Sequence, residues 1–174
     1  SRYLENLLKS NPERLRELDE PAIVDFYRKR KYLPLWSDAN GRLHRAFDLL
    51  HIIIHAEAEG LKSADYYLEE IRKYWGSNEP DASIHLDLFL SAALSRYSSH
   101  VYSGRFSPLE LDIDWHIENS PLDIGGLFTA VAGKKTIAPL LDELPPQPSG
   151  SQLLKKELRR YRDLEQQGRW QRFD

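Results

Sequence analysis

Two histidines stand four residues apart, in a stretch whose polar residues recur at helical spacing. His51 and His55 occupy positions i and i+4 of a predicted helix, a spacing at which two imidazoles can chelate one metal ion. The stretch has no HExxH motif, and the chain has no cysteine to complete a site. A solvated helix face accounts for the same residues, which are His44, Asp48, His51, His55 and Glu59. We therefore predict no cofactor, and name His51 and His55 as the residues to test for a metal.

Serines recur along the apolar segment from Ser91 to Ser99. A hydroxyl nucleophile needs an adjacent base and an oxyanion hole, and the chain contains neither a GxSxG nor an SxxK motif. Neighbouring acids such as Asp112 and Asp114 are too common in a charged chain to indicate glycoside hydrolysis. The glycines are not spaced as in a phosphate-binding loop. We predict that this chain is not an enzyme.

Bulk composition narrows the class of protein. The chain has 174 residues, of which 41% are hydrophobic and 29% charged, as in an ordinary globular domain. A net charge of −3 argues against a nucleic-acid binder. The lack of cysteine excludes a thiol nucleophile and a disulfide framework within this sequence. No apolar run approaches the roughly 20 residues that span a membrane.

Charge is distributed unevenly toward the C-terminus. Residues 107–144 contain seven acids and two lysines, whereas residues 151–174 contain seven bases and four acids. Solvated faces of separate helices explain this pattern. If a protein partner binds, we expect it to contact the basic segment at residues 151–174. The candidate contacts there are Arg159, Arg162 and Trp170.

The elements that must position these residues are organised around one long helix. From Ile84 to Ser103 the sequence is apolar almost all round, except for a narrow seam at Asp87, Ser91, Ser95 and Ser98. A helix of this kind is buried inside a bundle, where small serines let a neighbouring backbone approach closely. Gly104 ends it, and Pro108 prevents its resumption.

Shorter helices are predicted on both sides of this central helix. They comprise one through Leu15 and Leu18, one from Pro21 that the basic run at 28–31 closes, one from about Arg42 to Glu59, one that Ser63 caps, one that starts at Ser120-Pro121, a short turn from Ile137 to Leu144, and a last helix from Ser151 to Gln167. The fold class is therefore all-α, a single irregular helical bundle around the buried helix at about Ile84–Ser103.

The expected inward faces follow from the same periodicity. The helix from Arg42 to Glu59 should bury Leu43, Ala46, Phe47, Leu50, Ile53, Ile54 and Ala58. The last helix carries a stripe of Leu154, Leu158, Tyr161 and Leu164. Leu35 and Trp36 should plug the core after a turn, because Pro34 prevents a continuous helix there. Residues 109–115 should form an extended loop that ties Trp115 to the bundle.

Several segments resemble, in order, the scaffold domain of the large Gram-negative L,D-transpeptidases of peptidoglycan. "FYRKRKYLPLW" (26–36) is similar to that domain's entry, "FY..R.Y.PLW", and "AEAEGLKSADYYLEEI" (56–71) to "A..HGL.P.DY....L". "YSGRFSP" (102–108) matches the family's exit from its long helix. "LLDELPPQPSGSQLLKKELRRYRDLEQQGRW" (140–170) is similar to the segment that closes the domain. One departure from the family pattern is Lys62-Ser63, which stands where a proline is usual.

The resemblance covers about residues 26–170 and implies one scaffold domain over residues 1–174. In that family the scaffold domain is followed by a peptidoglycan-binding domain and by a catalytic domain with a cysteine nucleophile. Neither of these two domains lies within this sequence. The resemblance implies a periplasmic, non-catalytic module whose partners are those two domains and, by a weaker hypothesis, peptidoglycan itself. The alternative is a stand-alone helical protein-interaction domain.

Overall fold

A computed structural model describes residues 21–79, 81–104, 121–144 and 149–168. These residues form an all-α fold, which confirms the predicted class. The helices are α1 (Pro21–Lys29), α2 (His44–Ile54), α3 (Leu68–Trp75), α4 (Ala82–Ser103), α5 (Ile124–Ala132), α6 (Ala138–Asp142) and α7 (Ser149–Gln166). Two 3₁₀ helices, Ala56–Glu59 and Ser63–Tyr66, join α2 to α3. A two-residue hairpin pairs β1 (Ser37–Asp38) with β2 (Gly41–Arg42).

Helix α4 is the predicted central helix, and it begins two residues earlier than expected. Buried side chains occur on every side of its first four turns, which is why so many of its residues are apolar or small. Its polar seam is buried with them, since Asp87 and Ser91 are at most 1% exposed. Gly104 ends the helix with φ 87°, a backbone conformation that residues with a Cβ rarely adopt.

The segment before the hairpin fills the core as predicted. Helix α1 buries Ile23, Phe26 and Tyr27. The chain then turns through Lys31 and Tyr32, which both have left-handed φ angles. Leu35 and Trp36 follow with 0% and 1% exposure.

The predicted inward face of α2 is confirmed in part. Ala46 and Ile53 are buried as predicted, but Phe47 and Ile54 are 52% and 40% exposed, and Leu49, which was not predicted to face inward, is buried. Apolar residues occupy most of this helix, so periodicity alone does not determine its rotation. The helix also ends at Ile54 rather than Glu59, and a 3₁₀ turn replaces its last predicted turn.

Two predicted helix starts also differ from the structure. Ser63 does not cap a helix, because its hydroxyl donates to the carbonyl of Ile54 at 3.2 Å, and α3 begins only after Tyr67. Helix α5 begins at Ile124 rather than at Ser120-Pro121. Its cap is Asp123, whose side chain accepts from the backbone N–H of Gly126 at 2.9 Å.

Helix α7 begins at Ser149, two residues earlier than predicted, and two of the four residues of its predicted stripe are exposed. Leu154 and Tyr161 are 73% and 52% exposed. The helix contacts the 3₁₀ turn after α2 through Lys155, which pairs with Glu59 at 2.5 Å. Among the described helices, none is both long and apolar enough to cross a membrane.

Some expectations concern residues that the structure does not describe. They are the helix through Leu15 and Leu18, the extended loop at 109–115 with Trp115, and the position of Trp170.

Candidate functional site

The two candidate metal ligands are exposed neighbours, His51 in the last turn of α2 and His55 directly after it. The rings of His51 and His55 lie 4.2 Å apart between centroids. His55 uses Nδ1 in a 2.8 Å hydrogen bond to the carbonyl oxygen of His51, so only its Nε2 is available to a ligand. Among the described residues, no group of three His, Cys, Asp or Glu side chains is placed to hold a metal. A third ligand would have to come from elsewhere.

The serines of α4 are built into the core rather than exposed on a turn. Ser91, Ser95 and Ser98 are all 0% exposed. The nearest histidine side chains described on α4 are engaged with tyrosines, since His85 stacks on Tyr74 and His100 Nδ1 lies 3.0 Å from the Tyr66 hydroxyl. A substrate has no access to these serines in this packing.

A buried carboxylate is the most highly connected polar group described in the bundle. Asp87 Oδ1 accepts from the backbone N–H groups of Leu35 at 3.0 Å and Trp36 at 2.8 Å. Its Oδ2 accepts from the Tyr27 hydroxyl. That hydroxyl is 2.7 Å from Ser91 Oγ, which in turn accepts from the Trp36 indole N–H at 2.9 Å. We call these five residues the Asp87 hub.

The hub joins three segments that are distant in sequence. Its partners stand 51 to 64 positions apart along the chain. Without Asp87, the N–H groups of Leu35 and Trp36 would have no helix or sheet to pair with, because Pro34 interrupts regular structure there. The hub therefore holds the turn before the hairpin against α1 and α4.

Burial dominates the electrostatics of the hub. Desolvation raises the pKa of Asp87, against the effect of the hydrogen bonds from Tyr27, Trp36 and Leu35. Desolvation also raises the pKa of Tyr27 well above its usual value, and the adjacent negative charge of Asp87 adds to that shift. All three groups that bond Asp87 are donors, which suits an ionised carboxylate.

Alkaline unfolding should report the ionisation of Tyr27. The folded state keeps this phenolic proton at a pH where the unfolded state, with a pKa near 10, releases it. The folded state then binds more protons than the unfolded state, so stability falls as pH rises above about 10. Urea unfolding of wild type and Tyr27→Phe at pH 8 to 11 measures this effect. The wild type should lose more stability over that range, and parallel pH profiles would contradict the assignment.

An open groove lies beside the hub. It has a volume of ≈ 780 Å³ and is bounded by the turn at 30–36, the β1–β2 hairpin, the end of α3 and the first turns of α4. Its side chains include Arg30, Arg45 and Leu33. We call it the hairpin groove.

The predicted partner contacts lie on α7 where the structure describes them. Arg162 is half-buried, and its guanidinium donates to the carbonyl oxygen of Glu57, so it attaches α7 to the bundle. Arg159 is exposed and lies in a shallow basic depression with Lys155, Lys156 and Arg160. Of the three candidates, the structure thus describes one exposed cation, one structural contact and nothing of Trp170.

Sequence reasoning did not identify Asp87 or the groove arginines as a unit. A carboxylate within an apolar helix face was the available signal, because such a group is buried only with partners. Its partners are backbone N–H groups and a tyrosine from another segment, which local spacing does not reveal.

A family model described as "Scaffold domain" matches residues 21–158, from the first residue of α1 into α7. No curated protein and no solved structure matches the chain.

Proposed function

The chain belongs to the Scaffold domain family, and on that premise we propose that it is the non-catalytic support of a periplasmic L,D-transpeptidase of peptidoglycan. The observation that carries the proposal is the family match over residues 21–158. The ordered resemblance from Phe26 to Trp170 supports the finer assignment to the cell-wall enzymes. The partners proposed for it are a peptidoglycan-binding domain and a catalytic domain of the same protein.

The interior of the bundle suits a support. Its buried polar groups hold segments together: Asp87 bonds two backbone N–H groups, and Ser91 bonds Trp36. A support of this kind keeps its shape while other domains work, since buried and satisfied polar networks specify one packing. Arg159, on the exposed side of α7, is the described residue that we propose contacts a neighbouring domain.

A stand-alone interaction domain is the competing proposal. The exposed apolar side chains Leu153 and Leu154, at 64% and 73%, favour some partner for α7 in either case. The complete reading frame separates the two proposals. If the same frame encodes a peptidoglycan-binding domain and a cysteine-containing catalytic domain, the transpeptidase proposal is favoured. If it encodes neither, the stand-alone interaction domain is favoured.

Charge reversal at the proposed contact gives a direct test. In the protein encoded by the complete frame, Arg159→Glu should lower the rate of murein cross-linking about 2–5-fold, since a surface charge pair contributes about 0.5–1 kcal/mol. Arg72→Glu is the matched control, because Arg72 is also exposed on a helix and, within the described residues, its ion pair is with Glu69, three residues away. Liquid chromatography of muropeptides measures the cross-linking rate of each variant. Equal rates for the two variants would remove Arg159 from the proposed interface.

A further inference from the structure

The hairpin groove has the size and lining of a binding site. Its volume of ≈ 780 Å³ falls within the range of about 300–1,000 Å³ that small-molecule and peptide-side-chain sites occupy. One wall is apolar, with Leu33, Pro34 and Leu86, and Leu33 keeps 57% of its surface exposed. An exposed leucine beside a cleft is a surface on which a ligand's apolar group can pack.

Three arginines line the groove, and none of them has an acidic partner at salt-bridge distance among the described residues. The guanidinium of Arg42 donates to the carbonyl oxygen of Trp75. Arg30 donates from Nη2 to the carbonyl oxygen of Pro34 at 3.3 Å, and its Nε is buried with no hydrogen-bond partner. Arg45 donates to the carbonyl oxygens of Leu35 at 2.7 Å and Lys134 at 2.9 Å.

The positive charge of the pair Arg30 and Arg45 is partly compensated, because the charges of Asp87 and Asp38 favour the protonated form of Arg45 without a salt bridge to it. Burial lowers the pKa of Arg45, and the nearby charge of Arg30 lowers it further. Asp87 lies under the groove but is 1% exposed, and its oxygens already accept from Leu35, Trp36 and Tyr27. Among the described residues, no carboxylate reaches either guanidinium at salt-bridge distance.

The groove's two accessible acids restrict the ligand further. Asp38 and Glu79 also line it, and both would repel an added negative charge. This repulsion is about twice as large for a dianion such as phosphate as for a single carboxylate. A carboxylate also matches the planar fork of a guanidinium.

We propose that the hairpin groove binds a peptide carboxylate that is adjacent to an apolar side chain. The carboxylate pairs with Arg30 and Arg45, and the apolar side chain packs on Leu33 and Pro34. This inference concerns the isolated chain. It does not depend on a transpeptidase parent, so its failure and the failure of the proposed function are distinguishable.

A nuclear magnetic resonance titration of the ¹⁵N-labelled 174-residue chain tests the proposal. The probes are acetyl-Leu-Glu-amide, which has a side-chain carboxylate, acetyl-Leu-Ala, which has a terminal one, and the neutral acetyl-Leu-Gln-amide. Inorganic phosphate is the fourth. One or both carboxylate peptides should shift the Trp36 indole and Ser37 amide resonances to saturation, and which of them does identifies the carboxylate source. Equal binding of the neutral peptide, or tighter binding of phosphate, would overturn the proposal.

Variants locate the site. Arg30→Gln should weaken binding about tenfold, the loss of one charge-assisted contact. Arg28→Gln is the control, because Arg28 is an exposed arginine in the last turn of α1, two residues before Arg30, and it pairs with Asp25. If Arg30→Gln impairs folding, Leu33→Asp serves instead, since an exposed side chain tolerates the change and the new charge repels the ligand. Unchanged binding in Leu33→Asp, or equal binding in the two arginine variants, would contradict the assignment.

Discussion

Replacing Asp87 with alanine should lower the free energy of unfolding by about 3–5 kcal/mol. The change removes an acceptor from the N–H groups of Leu35 and Trp36 and from the Tyr27 hydroxyl, all in the core. A buried donor without a partner costs about 1–3 kcal/mol, so the two N–H groups account for most of the expected loss. The Tyr27 hydroxyl keeps Ser91 Oγ as a neighbour at 2.7 Å. The favourable removal of a desolvated charge offsets part of the loss.

Urea unfolding followed by far-ultraviolet circular dichroism measures this loss. Asp87→Asn should be less destabilising than Asp87→Ala, because its amide oxygen still accepts from one of the N–H groups. Glu157→Ala is the control, as that acid is exposed on α7 and should leave the urea midpoint unchanged. Equal midpoints for Asp87→Ala and wild type would show that the hub does not hold the turn.

Replacing Phe128 with alanine should lower the free energy of unfolding by about 3–5 kcal/mol, the usual cost of deleting a buried aromatic ring. Phe128 is 0% exposed, and its ring centroid lies 5.0 Å from that of Phe26 on α1. The cavity left behind lies between α5 and α1, so docking of α5 depends on this ring. The expected loss comes from packing alone, whereas that of Asp87 comes from unpaired donors.

The adjacent residue provides the matched control for Phe128. Thr129 is exposed on the same helix and donates only to the carbonyl of Gly125, four residues back. Thr129→Ala should therefore change the urea midpoint little. A loss as large in Thr129→Ala as in Phe128→Ala would mean that helix propensity, and not the ring contact, stabilises α5.

The sequence predicted those parts of the fold that depend on local pattern. The central helix could be predicted because its own residues from Leu86 to Ser98 are apolar or small on nearly every face, and because Gly104 marks its end. Leu35 and Trp36 were predicted in the core because Pro34 excludes a helix there. In each case the signal lies within a few residues of the element that it describes.

Features that depend on distant partners were not predictable in this way. The rotation of α2 is determined by what packs on it, so Phe47 and Ile54 were wrongly predicted to be buried. Asp87 was interpreted as one member of a polar seam, because its partners stand about 50 to 60 positions earlier. Arg30 and Arg45 share a groove only after the hairpin between them has folded.

We propose that this chain supports chemistry done by another domain and performs none itself. The most direct test of this proposal uses disaccharide-tetrapeptide murein fragments as substrate. They are incubated with the purified chain and, in parallel, with the protein encoded by the complete reading frame. We expect no cross-linked or cleaved product from the chain alone, and cross-linking by the complete protein that disappears when its catalytic cysteine is replaced. Product formed by the chain alone would contradict the account.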